Sequence, residues 1–115
     1  MRTPRASLAL VLALMLASCA TMDATVTQYV GVPRFAPVDP EKVQILRAEP
    51  MQPHDRLGEI LLDISLDPAP PIEDIEQRLR EEAAKLGATA VFVVRDLVVP
   101  YSSRKLIGVA IRNRQ

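Results

Sequence analysis

Cysteine and histidine are almost missing from this sequence, with Cys19 and His54 the sole examples. One cysteine excludes any disulfide within the chain. One histidine leaves no set in which an imidazole activates a nucleophile. Ser102 and Ser103 also lack the glycine pattern of a nucleophile elbow. Glycine occurs four times, and no glycine-rich phosphate loop is present. Glu81 and Glu82 are neighbours on a predicted helix, so they diverge and cannot act as a paired acid and base. No enzyme chemistry is expected and no cofactor is implied. Basic and acidic side chains balance at 14 each. No basic block marks a nucleic-acid surface. There is no internal repeat.

What is present begins at the N-terminus. Arg2 and Arg5 precede an apolar run from Leu8 to Ala17, and the small residues Ala17 and Ser18 follow. This is the layout of a secretory signal. The run is about half of the ~20 residues a membrane-spanning helix needs, and no later segment is long and apolar enough to replace it. Residues 1–18 are read as the signal peptide.

Leu16-Ala17-Ser18-Cys19 resembles the signal of bacterial lipoproteins. The resemblance implies a diacylglyceryl group on the Cys19 thiol, cleavage before Cys19 and acylation of the new amine. Each buried CH₂ contributes about 0.8 kcal/mol, so two or more chains hold firmly where one does not. In such lipoproteins an aspartate after the cysteine signals inner-membrane retention. Ala20 stands there instead, which implies the outer membrane with the domain facing the periplasm. Ser18-Cys19-Ala20 also fits a small-x-small cleavage rule, which would release a soluble chain starting at Thr21. Losing Arg2 and Arg5 leaves 12 basic against 14 acidic side chains, a formal charge of −2.

Residues 19–41 read as a tether, because Pro33, Pro37 and Pro40 interrupt regular structure. Stretched out, this segment would reach roughly 70 Å. Tyr29, Val30, Val32 and Phe35 make it apolar for a linker. It is expected either to pack on its own domain or to bind a partner.

Residues 42–115 form the predicted domain. Lys42 to Ala48 is a short strand candidate. From Gly58 to Leu66, Ile60, Leu62, Ile64 and Leu66 alternate with Glu59, Leu61, Asp63 and Ser65, the period-two pattern of a half-buried strand. Ile72, Ile75, Leu79, Ala83 and Leu86 recur at helical spacing. Pro70-Pro71 leads into this helix and Gly87 stops it. Its charged run is a solvated face, with i,i+4 pairs Asp74–Arg78, Glu76–Arg80 and Glu81–Lys85. Ala90 to Val99 is apolar on both faces and reads as a central strand. Lys105 to Arg112 returns after a turn as the last strand.

The predicted fold is α+β: ββαββ, a four-stranded mixed sheet with one helix packed on one face. The strand–helix–strand centre should join parallel strands, and the last two strands should form an antiparallel hairpin. One helix covers one sheet face. The other, assigned Leu61, Phe92, Val94 and Val98, needs a cover from the tether or a second subunit. With Tyr29 and Phe35, these residues are the candidate interaction surface.

Leu57-Gly58-Glu59-Ile60, the run Ala83 to Val91 (AAKLGATAV) and Ile107-Gly108-Val109-Ala110-Ile111 together resemble the envelope domain of RcsF-type lipoproteins and the related YbjQ-like family. The resemblance implies an outer-membrane lipoprotein with a small α/β domain, reporting envelope stress to protein partners. RcsF-type domains carry disulfide-forming cysteines, and residues 42–115 have none.

His54 and Asp55, with Met51 nearby, are the weak candidates for a metal site, since a closed site usually needs three or four ligands. Arg95 and Asp96 mark either the exit of their strand from the core or a recognition spot. The sequence thus predicts a lipid-anchored envelope protein that binds an envelope partner or itself, or senses stress. A small-ligand or metal-binding periplasmic domain is the alternative.

Overall fold

The structure, a computed structural model, describes residues 19–114; the expected signal peptide at 1–18 lies outside the described residues. Strand β1 spans Met22–Gln28, a 3₁₀ turn covers Pro40–Lys42, and β2 is Gln44–Leu46. Then come β3 at His54–Ile64, helix α1 at Ile72–Lys85, β4 at Ala90–Val99 and β5 at Ser103–Asn113. The sheet order is β1-β3-β5-β4-β2. β2 runs parallel to β4, and all other neighbours are antiparallel. The fold is α+β, a mixed five-stranded sheet carrying one helix.

The fifth strand is β1, which lies where the sequence reading placed a tether. Met22 and Ala24 face the core while Asp23 and Thr25 face solvent, and the strand pairs along its whole length with β3. The prolines that argue for a tether all come after it. From Tyr29 onward the chain leaves the sheet and stays packed. Val32, Phe35 and Val38 lie against the main core, and the Val38 amide donates to Ala84 O at 3.0 Å.

The main core lies between α1 and the sheet. Ile60, Leu62 and Ile64 of β3 are fully buried there with Ile75, Leu79 and Ala83 of α1. β3 and β4 run parallel, as expected for the helical crossover, but β5 sits between them. β5 therefore takes the central place expected for β4. Its small residues explain why: a Cβ on Gly108 would stand 3.1 Å from Leu79 Cδ1 and 3.0 Å from Val91 Cγ2. The sheet centre needs little side-chain volume where the helix comes closest.

Helix α1 begins at Pro71 without a side-chain cap and carries Glu73 and Asp74 in its first turn and Lys85 in its last, in keeping with the helix dipole. Its end is a Schellman motif. Ala88 N–H reaches Ala83 O and Gly87 N–H reaches Ala84 O, with Gly87 at φ 79°. Two details differ from the sequence reading. Ile72, assigned to the apolar stripe, is half exposed, because the helix has only just begun there. Arg78 pairs with Glu82 at 3.1 Å rather than with Asp74, and Lys85 joins the same carboxylate at 3.2 Å. Glu82 is consequently buried on a face expected to be wet.

A β-bulge at Val94 changes the phase of β4. Val93 pairs with Gly108 and Arg95 with Ile107, so one residue is skipped. After the bulge, Val98 lies opposite Arg104 on the helix side. The expected grouping of Val98 with Phe92 is thus corrected, while Val94, next to the helix-side Val93, keeps the face of Phe92.

Candidate functional site

The helix-free face holds a second, smaller core of Ala90, Phe92, Val109 and Ile111. Tyr29 and Leu46 pack against it. Arg56 lies over the Phe92 ring, 6.0 Å from its centroid, and Glu49 holds that guanidinium in a bidentate pair. Arg56 keeps the Glu49 carboxyl below the usual range. The part of this face around Phe92 is therefore closed by the chain itself.

The six candidate surface residues separate accordingly. Phe92 is buried. Tyr29 and Phe35 are half-buried and serve the fold, on opposite sides of the sheet. Leu61 is half-buried between Thr25 and Ile107. Val94 and Val98 are 53% and 54% exposed. They share one feature invisible in the alternation: both lie on the outer edge of β4. β2 covers that edge only from Ala90 to Phe92. Among the described residues, no strand lies beyond Val93–Val99. Unpaired backbone on such an edge is a template for another strand.

Asp96 and Arg104 tie this edge to β5, with Arg104 Nε and Nη2 donating to the carboxylate at 2.8 and 2.6 Å. The guanidinium holds the Asp96 carboxyl below its usual range. Arg95 points to the other face and is exposed. Between the β3–α1 loop and the β4–β5 hairpin is an open hollow of about 360 Å³, lined by Ile64, Leu66, Pro70, Ile75 and Val98 with that ion pair at its side.

His54 and Asp55 are not brought together. His54 faces Glu49 at 3.5 Å and lies 2.6 Å from Gln52 O. Asp55 pairs with Arg114 at 2.6 Å, which holds its carboxyl below the usual range. Met51 is fully exposed. Among the described residues, no three carboxylate, imidazole or thiol groups converge on one point.

Cys19 is exposed, and only Ala20 separates it from hydrogen-bonded chain. Thr21 N–H donates to Ser65 Oγ at 2.9 Å, Ser65 N–H returns to Thr21 O at 3.0 Å, and Ser65 Oγ donates to Pro68 O at 2.7 Å. β1 starts at the next residue. The sequence carries this signal in the alternation of Met22, Ala24 and Val26 with Asp23, Thr25 and Thr27.

A solved structure shares the fold. It is the crystal structure of a Francisella virulence factor, FvfA, with a TM-score of 0.59 and 17% sequence identity, covering 81% of this chain and all of that one. At that identity the likeness is one of fold. No protein-family profile matches the sequence, and no curated protein is significantly similar to it.

Proposed function

We propose that this chain is a lipid-anchored protein of the bacterial envelope, attached through Cys19 to the outer membrane and facing the periplasm. Its domain binds another envelope protein, or a second copy of itself, and serves in sensing envelope stress. The observation that carries this reading is the lipoprotein-like run Leu16–Cys19 ending on an exposed cysteine that only Ala20 and Thr21 separate from the first strand. The resemblance of the helix-to-strand junction to RcsF-type domains supports the same address. Sensing here would not use a disulfide within the chain, because the sequence has no second cysteine.

The binding surface we assign is the β4 edge from Val93 to Val99. An extended segment of a partner would add a strand there, with backbone hydrogen bonds supplying affinity and Val94 and Arg95 supplying selectivity. Mass spectrometry of the mature N-terminus tests the anchor: an unmodified chain starting at Thr21 would refute it. A photo-crosslinker at Val94 in intact cells tests the edge, and a reproducible covalent product with one envelope protein or with itself is expected. The second reading, a small ligand, is favoured by the apolar hollow between the β3–α1 loop and the hairpin. It would be preferred if no product formed and a small molecule raised the melting temperature.

A further inference from the structure

We infer that the end of the domain around Tyr101 docks on the surface of a lipid bilayer. The strand registers bring the relevant residues to one pole. Met22 lies opposite Ile64, Ile64 opposite Arg104, and Arg104 opposite Val98. Helix α1 starts at the same end, since Ile75 and Pro70 share the hollow with Ile64 and Val98. Cys19, Ile72, Val98 and the hairpin tip at Tyr101 therefore gather together. Ile72 is 50% exposed, Val98 54% and Tyr101 107%.

Tyr101 is the sharpest of these. It is fully exposed, so its ring gains nothing from the domain. It also sits at φ 62°, alone among the non-glycine described residues in having positive φ. Glycine or asparagine would fit that backbone more cheaply. An amphipathic ring held at a cost outside the fold suits the boundary between headgroups and acyl chains, where tyrosine is enriched.

The choice of a lipid surface as occupant rests on the proposed anchor. Val30 and Met51 are equally exposed but stand at the far end. At the near end, Ala20 alone is free between Cys19 and the bonded Thr21, and one residue spans at most about 3.6 Å. Acyl chains on Cys19 would hold this pole against the headgroups. The charges there set the character of the contact. Arg104 and Lys105 are paired with Asp96 and Asp63, whereas Asp67, Glu73 and Asp74 are exposed. Docking is therefore apolar, insensitive to salt, and directed to zwitterionic rather than anionic lipid.

The chain has no tryptophan, so Tyr101→Trp and Met51→Trp each introduce a single reporter. The full chain, processed in cells, is reconstituted in phosphatidylcholine vesicles with brominated acyl chains, and mass spectrometry of the same sample reports the state of Cys19. The Tyr101→Trp reporter should lose about half its emission or more, in low and high salt alike, as expected for a side chain buried ~5–10 Å into the interface. The Met51→Trp reporter should be unchanged. A lipidated chain without quenching at Tyr101→Trp overturns the docking and leaves the anchor. An unlipidated chain that is still quenched there overturns the anchor and leaves the docking. An unlipidated, unquenched chain overturns both.

Discussion

The guanidinium of Arg112 lies over the ring of Phe35, 4.3 Å from its centroid, and one of its nitrogens donates to Gly87 O at 2.9 Å. One side chain of β5 thus clamps the segment after β1 onto the end of α1. The stacked pair should contribute about 0.5–2 kcal/mol at this partly buried site. A double-mutant cycle with Phe35→Leu and Arg112→Lys, read by urea unfolding, should return a coupling in that range. Additive losses would mean the two residues act separately.

Gly87 makes that closure possible. It sits at φ 79°, and a Cβ there would lie 2.6 Å from Phe35 Cβ and 2.8 Å from Ala36 O. Gly87→Ala should cost at least about 1–2 kcal/mol from the left-handed backbone alone, with the clash added. The lower urea midpoint should come with easier proteolysis of residues 29–39, because Phe35 is pushed from its seat.

Removing residues 20–40 should not leave a stable domain. β1 covers β3 from Gly58 to Ile64, and Val32, Phe35 and Val38 close the core beside α1. The truncated chain should unfold at much lower urea or pair through the bared β3 edge. Circular dichroism and light scattering distinguish these outcomes from the unchanged monomer that a free tether would give.

Four ion pairs bind the sheet together, and each lowers a carboxyl pKa on folding: Glu49 by Arg56, Asp55 by Arg114, Asp63 by Lys105 and Asp96 by Arg104. A carboxyl depressed in the folded state contributes stability fully above its unfolded value near 4, and that contribution is lost as pH falls through the folded value. The melting temperature should be nearly flat from neutral pH to about 5 and fall below about 4. Asp96→Asn should make that fall shallower, because one carboxyl no longer titrates.

Helix α1 was legible because its stripe, its acidic first turn and Gly87 agree with one another, and all are local. β3, β4 and β5 were legible from alternation, within a few residues at their ends. The bulge at Val94 was not, because nothing in Val-Val-Arg-Asp says which residue the pairing will skip. That one skipped residue reassigns Val98 to the helix side and so redraws the candidate surface. The pattern of β1 is clear in Met22 to Thr27, yet three later prolines colour the whole stretch as linker. Its pairing with β3, thirty residues away or more, is a tertiary fact that no local pattern states. Tyr101 carries no sequence signal at all: its proposed role comes from a backbone angle and from lying at the same end of the sheet as Cys19.

The short distance from Cys19 to β1 limits reach. β3, eleven residues long, spans roughly 35 Å. With the proposed anchor on Cys19 and Ala20 as the single free link, the domain would be unable to lean far from its leaflet. Under that proposal its working radius is its own stature, and a partner would have to come to the membrane surface to be met.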